Sequence, residues 1–405
     1  ARIMSRKYDV VCTNPPYMKR RNMNPQLAEF LGDNFPKSKS DLFAVFMELD
    51  ETYLKPNGFM GMINQQSWMF LPSYKKLRKN VIDKRMIHSL LHLGSHAFEE
   101  IKGEVVQSTS FILQKIKVAG YRSNYLRLIE WRNAKEKEEK TLEAIANSNV
   151  AYGYTLCSSD FSKIPGSPIA YWFTTKALSL YKNKKIIDIS NPCKGIDTGD
   201  NNRFLRIWHE VSINKQHIPG YAKVAQSKAK RKWFPYNKGG PYHKWYGNNE
   251  YVLNYENEGE ALRQFKGSNL RNSQYYFRSG ITWTTVTSGK LSLRYFAQGY
   301  LFDNGGCCLY ADNNLLYIMA LLNSSVTTSL LNVSPTLNYQ PGDIGRVPVL
   351  IDENSVTRVE KLVKTNIALS KTDWDSFETS WDFKCHPFLT YKDNATTIEE
   401  AFGKW

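Results

Sequence analysis

YDVVCTNPPY, residues 8–17, is the stretch on which the reading of the chain turns. Tyr8, Val10, Val11 and Cys12 make a short, largely apolar run with β-branched residues, the pattern of a buried strand. Thr13 and Asn14 follow, and then Pro15 and Pro16. Two prolines cannot donate to a sheet ladder, so the strand ends there. The expected product is a stiff loop that presents the Asn14 amide, the Pro15 carbonyl and the Tyr17 ring at the carboxyl end of a strand. In open α/β sheets ligands sit at that end.

These groups suit one kind of chemistry. An exocyclic amine on a nucleobase is a poor nucleophile, because its lone pair is delocalised into the ring. The Asn14 side-chain oxygen and the Pro15 carbonyl can accept both amine hydrogens. That draws the nitrogen toward sp³ and aims its lone pair at an electrophilic methyl. Tyr17 offers a face on which a base extruded from a duplex can stack. Prolines keep such a loop from relaxing. A strand closed by a Pro-Pro turn with no ligand would use the same residues, since Asn-Pro is a common turn opening.

Composition narrows the class. The chain has 405 residues, enough for two or three domains with real cores, and its 42% hydrophobic and 13% aromatic content is that of a folded protein. Lys and Arg number 54 against 38 Asp and Glu, a net charge of +16. An excess of this size is the electrostatic footprint of a nucleic-acid binder. The six cysteines, Cys12, Cys157, Cys193, Cys307, Cys308 and Cys385, form no CxxC pair, which argues against a structural zinc site. A disulfide between neighbours Cys307 and Cys308 would be strained, and the pattern fits a reducing cytoplasm. The longest apolar run, residues 315–322, is too short to span a bilayer, so no membrane is expected.

Outward from the loop, Lys19, Arg20 and Arg21 stand where they can touch phosphates beside an extruded base, or form an ordinary solvated charge run. Residues 25–40, polar with Pro25 and Pro36, read as a loop. Residues 41–54 have helical spacing with Asp41 as cap, and Pro56 to Gly58 stops them. Strands are expected at 59–64, 86–93 and 105–115 and a helix at 74–83, an α/β alternation. Residues 132–148 are a charge-rich helical connector. Beyond it, aromatic and basic residues interleave with turns. Lys228, Lys230, Arg231 and Lys232 form the densest basic cluster, suited to phosphate. Residues 280–296 read as a hairpin about Ser288-Gly289. It would carry Trp283, Lys290 and Arg294 to a duplex, although a buried role for Trp283 fits the pattern equally. Residues 313–331 and 355–369 have helical periodicity.

The loop resembles motif IV of the amino-methyltransferases, which use S-adenosylmethionine to methylate adenine in DNA. DLFAVF (41–46), LKPNGFMGMI (54–63) and LHLGSHAF (91–98) follow in the order of the blocks after that motif in Taq-type adenine methyltransferases. The whole chain resembles the PglX-like adenine methyltransferases of BREX phage-defence systems, and DWDSFETSWDF (373–383) looks like a signature of theirs, one that would dock an upstream domain. By that resemblance Phe46 touches the cofactor and Phe98 packs on the target adenine. Asn64-Gln65-Gln66 stands where the family often has a proline.

The resemblance implies a partial Rossmann-like methyltransferase sheet in an α/β domain, followed by an α+β target-recognition domain and a C-terminal helix. The boundaries are 1–131 for the catalytic half, 132–154 for the connector, 155–350 for target recognition and 351–405 for a spacer or docking helix and tail. It implies a site-specific adenine methyltransferase with S-adenosylmethionine as cofactor and double-stranded DNA, with other defence-system subunits, as partners. The family's glycine-rich cofactor motif is absent from these 405 residues, so the expectation is a fragment that lacks tight cofactor binding alone. A non-catalytic DNA-specificity module, or methylation of RNA or of protein glutamine, stand as alternatives.

Overall fold

The computed structural model describes residues 5–98, 106–218, 231–287, 290–331 and 338–405, apart from the side chain of Thr175. The chain divides into two compact units, the first running to Lys182 and the second from Asn183 to Trp405.

The first unit is a six-stranded sheet in the order β1-β2-β4-β3-β5-β6. Its strands are β1 (Tyr8–Thr13), β2 (Leu54–Gln65), β3 (Met86–Gly94), β4 (Ser108–Gln114), β5 (Arg122–Arg127) and β6 (Gly153–Cys157). β1 pairs with β2 in parallel and β3 with β5 in parallel, while β4 runs antiparallel between β2 and β3. β1, β2, β3 and β5 therefore end at one edge of the sheet, where β4 begins. The helices are α1 (Pro25–Asn34), α2 (Leu42–Tyr53), α3 (Lys75–Lys84) and α4 (Ala134–Ala146). Phe43, Ala44 and Met47 of α2 and Leu77, Val81 and Ile82 of α3 pack with Met60, Met62, Ile87, Leu90 and Phe111 of the sheet into one core. Burial alternates along β2, with Met60, Met62 and Asn64 inside. A half-buried strand must alternate in this way.

Four local readings change. β2 begins at Leu54, so Pro56 to Gly58, read as a stop before a strand at 59–64, lie inside the strand. β1 is an edge strand rather than a buried one. Val10 is 56% exposed and Cys12 is exposed, because β2 lies on one side and no described strand on the other. Residues 25–34 are helix, not loop. Pro25 stands at the first helical position, where the missing N–H costs nothing, and the Asn24 side chain accepts the Leu27 N–H at 2.8 Å. The connector region lies inside the first unit, since β6 pairs antiparallel with β5 and closes the sheet.

The second unit is built on two four-stranded sheets. Its strands are β7 (Asn191–Cys193), β8 (Leu205–Ile207), β9 (Trp233–Asn237), β10 (Tyr251–Asn254), β11 (Gly280–Trp283), β12 (Leu293–Phe296), β13 (Leu301–Phe302) and β14 (Cys308–Tyr310). The orders are β13-β9-β10-β8 and β12-β11-β14-β7. Tyr236 and Leu253 of the first and Phe296, Cys308 and Tyr310 of the second share one core. The expected hairpin is present as the antiparallel pair β11 and β12, while its turn, Ser288-Gly289, lies outside the described residues.

Helix Leu315–Leu322 ends at Asn323, whose buried amide both accepts from the Leu293 N–H and donates to the Leu293 carbonyl of β12. The helix Glu353–Trp374 packs on Leu315–Leu322. Residues 373–383 fasten the second unit's own tail. Lys371 reaches Asp375 at 2.5 Å and Asp382 at 2.6 Å, and lies over the Tyr246 ring. Trp381 enters the core, and the Trp208 indole N–H donates to the Thr379 carbonyl. All six cysteines are free.

Candidate functional site

The edge where β1, β2, β3 and β5 end is built by register. Thr13 sits opposite Met62, Gln65 opposite Ser108, Gly94 opposite the same Ser108, and His92 opposite Arg127. The segments that leave these strands, 14–17, 66–69 and 95–98, therefore begin on one side of the sheet.

Along 14–17 the two prolines differ. Pro15 is buried and Pro16 exposed, with exposed Asn14 before them. A buried ring followed by a second φ-locked residue leaves the loop little freedom. Tyr17 is half-buried, its ring edge-to-face with Phe43 at 6.0 Å and 82°. Burial raises its pKa, the nearby Ser108 hydroxyl lowers it in part and Asp41 raises it further. Its hydroxyl is buried without a hydrogen bond of good geometry among the described residues.

The loop is held at both ends. The Thr13 hydroxyl donates to Asp50 Oδ2 at 2.5 Å, and the Met18 N–H donates to Asp41 Oδ1 at 2.9 Å. Asp41 occupies the N-cap position of α2, with the Leu42 and Phe43 N–H groups of the first turn beside its carboxylate. Asp41 and Asp50 are 2% and 4% exposed. Burial raises the pKa of both, opposed for Asp41 by hydrogen bonding from the Met18, Phe43 and Leu42 N–H groups and by nearby Lys19, and for Asp50 by hydrogen bonding from Thr13.

Beside the loop, a buried polar chain crosses the sheet edge. The Tyr171 hydroxyl meets His92 Nδ1 at 2.8 Å, and His92 Nε2 meets Gln66 Oε1 at 2.6 Å. The Gln66 amide then donates to Gln107 Oε1. An amide oxygen only accepts, so Nε2 donates to Gln66, and with the Tyr171 hydroxyl donating to Nδ1 the ring is satisfied as the neutral imidazole. Burial pushes the His92 pKa down to about 3, with Arg127 and Lys137 acting in the same direction. Gln66, unremarkable as a missing family proline, is thus one link in this chain.

The other site residues separate by exposure. Phe46, within α2, is half-buried against the core. Phe98 is half-buried in the bend after Gly94, whose φ of +66° and close approach to Ile129 leave no room for a Cβ. Lys19, Arg20 and Arg21 are exposed, as is Lys290. Arg231 and Lys232 already have partners, His217 at 2.7 Å and Glu256 at 3.1 Å. Lys228 and Lys230 lie outside the described residues.

Trp283 and Arg294 do not reach a surface. Trp283 is fully buried and its indole N–H donates to the Tyr339 carbonyl at 2.8 Å. Arg294 is 1% exposed, and burial pushes its pKa down to about 10. A duplex contact for either is corrected by the architecture, because β11 and β12 are covered on both faces. Sequence reasoning missed Asp50, His92 and Tyr171. Asp50 left one signal, an acid at the end of the apolar run FMELD.

For a methyl-donor cofactor the fit is partial. Residues 14–17 leave the carboxyl end of β1 and Phe46 lies in the first half of α2, but the sequence holds no glycine-rich loop to cradle a nucleotide, and β1 is the outermost strand. Among the described residues no helix is long and apolar enough to cross a membrane.

Comparison with known proteins agrees with this geometry. Residues 2–98 match the Eco57I restriction-modification methylase family. The adenine-specific methyltransferase PglX of Lacticaseibacillus casei (strain Zhang) is 42% identical over 99% of the chain. The adenine-specific methyltransferase BrxX of Escherichia coli O9:H4 (strain HS) is 41% identical over 97%. The chain spans 34% and 32% of their lengths. In fold it is similar to a nuclease-deletion mutant of the Type ISP restriction-modification enzyme LlaGI, solved with a DNA substrate mimic. The TM-score is 0.50 at 12% identity over 91% of this chain and 36% of that one. Over nearly its whole length, then, the chain is a homologue of the PglX and BrxX adenine-specific methyltransferases.

Proposed function

We propose that the chain forms the base-handling and DNA-contacting part of an adenine-specific DNA methyltransferase of a BREX-type defence system. The observation that carries this reading is the exposed Asn14 amide on a proline-stiffened loop at the carboxyl edge of the sheet. The target adenine leaves the duplex. Its amine gives one hydrogen bond to the Asn14 oxygen and one to the Pro15 carbonyl. S-adenosylmethionine, when bound, supplies the electrophilic methyl. As the nitrogen took the methyl and the donor's S–C bond broke, Asn14 and Pro15 would hold the positive charge growing on it through hydrogen bonds that strengthen in the transition state, and one amine proton would then leave to water. Tyr17 and Phe98 flank the ring, Phe46 borders the donor, and Lys19, Arg20, Arg21 and Lys290 meet phosphates.

Residues 183–350, in the second unit, serve target recognition, and the segment from 351 braces them. The +16 charge favours a nucleic acid over a protein glutamine as substrate. The test uses the full-length gene product on genomic DNA from a strain lacking the gene. Asn14→Ala is expected to lower methyl transfer by about 100-fold or more, the loss seen for one preorganised polar group, with DNA affinity unchanged. A normal rate in that variant, or methylation of RNA or protein but not DNA, overturns the reading.

A further inference from the structure

We infer that Asp41 and Asp50 are positioning residues that clamp the two ends of the Asn14–Tyr17 loop, so that its two acceptors converge on one nitrogen. The inference rests on the function proposed above. Thr13, immediately before the loop, is bonded to Asp50, and Met18, immediately after it, is bonded to Asp41. Only Asn14, Pro15, Pro16 and Tyr17 lie between the two anchors. Both carboxylates belong to one rigid element, Asp41 at the N-cap of α2 and Asp50 within it. The Leu42 N–H donates back to the Met18 carbonyl at 3.1 Å, so the far anchor is held from both sides. Arg20 N–H to Ser40 carbonyl at 3.0 Å extends that junction.

Capping α2 accounts for an acid at Asp41 but not for its bond to the loop, and stability does not account for Asp50. A carboxylate taken out of water is costly unless well paired, and an apolar substitute at such a place is often neutral or better. Asp50 has one described hydrogen-bond partner, the Thr13 hydroxyl. Asp41 stands at the N-cap of α2 with the Leu42 and Phe43 N–H groups beside its carboxylate, and the same carboxylate takes the Met18 N–H of the loop. What both achieve is placement. Two acceptors on adjacent residues must meet two hydrogens of one amine, and an error near 1 Å costs about 100-fold in rate. The prolines fix the interior of the loop, and the acids fix where it is tied.

The test again uses the full-length gene product, with wild type, Asp41→Ala, Asp50→Ala, Thr13→Val, Asp41→Asn and Asp50→Asn. Tritiated methyl transfer to DNA from a strain lacking the gene gives kcat and KM. Hydrogen exchange at the Met18 amide reads the far anchor directly. The alanine variants and Thr13→Val are expected to lose about 10- to 100-fold in kcat with KM for DNA within about twofold, because the base is still bound but poorly aimed. The asparagine variants keep an acceptor oxygen and are expected to recover most of kcat. Thr13→Val with Asp50→Ala should cost no more than either alone. Met18 exchange should be slow in wild type and fast in Asp41→Ala. Unchanged kcat, a fall that only tracks a fall in folded fraction, or unchanged Met18 exchange overturns the clamp. If wild type methylates no DNA, the proposed function falls, and the exchange measurement alone decides the clamp.

Discussion

The loop 14–17 and the β11–β12 hairpin both looked, residue by residue, like places where side chains meet a ligand, and they behave in opposite ways. Asn14 is exposed at the end of a strand that is itself largely open, whereas Trp283 and Arg294 are closed off within paired sheets. The difference lies in what each pattern constrains. Two prolines end a ladder wherever they fall, so the chain must turn out of the sheet after Thr13. Alternation in a hairpin says only that two faces differ. It cannot say that one is wet when the hairpin is covered on both.

The largest effect that separates the two regions is on stability. Trp283→Ala removes a fully buried indole and strands the Tyr339 carbonyl, and is expected to cost about 3–5 kcal/mol in the second unit. Asn14→Ala, exposed, should stay within about 0.5 kcal/mol while abolishing transfer. Thermal unfolding of both variants checks this. If Trp283→Ala left stability intact and weakened DNA binding, the hairpin would be a reading element after all.

Arg294 sharpens the same comparison with the opposite sign. Its Nη2 approaches the Thr284 hydroxyl at 3.4 Å, and its Nε and Nη1 have no described partner. A buried cation without a carboxylate is worth less than an apolar side chain of similar volume. Arg294→Met is therefore expected to be neutral or to raise the stability of the second unit by about 1–2 kcal/mol, measured as a shift in its unfolding midpoint. A DNA contact would show instead as lost affinity at unchanged stability.

These cases show what was legible in the sequence. The loop, the α/β alternation and the carboxyl ends of β2, β3 and β4 could be read, because apolar period acts locally, whereas the start of β2 could not, since Pro56 to Gly58 lie within the strand. The exposure of β1 could not, since it depends on which strand lies beside it. Pro25 looked like a breaker because a proline at the first helical turn is distinguishable only once Asn24 caps Leu27. Asp41 could be read as the cap of α2, and only tertiary structure shows that the same carboxylate also takes the Met18 N–H. His92 carried no signal, as an isolated histidine in LHLG is defined by Gln66 and Tyr171, 26 residues before it and 79 after it.

His92 extends the comparison to pH. The group is held neutral, with its pKa at about 3 against an unfolded value near 6.5. Its contribution to stability is complete above the unfolded value and is lost as pH falls below it, with a limiting slope of about 1.4 kcal/mol per unit. Gln66, Tyr171, Phe70, Trp172, Arg127 and Lys137 surround it, and none is an acid that could hold the imidazolium. Asp41 and Asp50, raised by burial, act the other way, gaining stability on acidification. Unfolding midpoints of the first unit from pH 7.5 to 5 should therefore fall more steeply in wild type than in His92→Gln. Parallel profiles would mean the ring is reached by water.

The smallest effect belongs to the exposed cations, where the two regions converge on one property. Lys19 next to the loop and Lys290 next to the hairpin are both exposed, and neither has a described carboxylate in salt-bridge range. A lysine that neutralises one phosphate releases about one counterion on binding. Lys19→Ala and Lys290→Ala should each weaken DNA binding uniformly across sequences and reduce the slope of log affinity against log salt by about one. The free energy at stake at moderate salt is about 1 kcal/mol or less, so the slope is the more decisive readout. A change in slope for Lys19 alone would assign phosphate contact to the loop and remove it from the hairpin. An unchanged slope for both would leave the charge excess as a general field rather than a set of contacts.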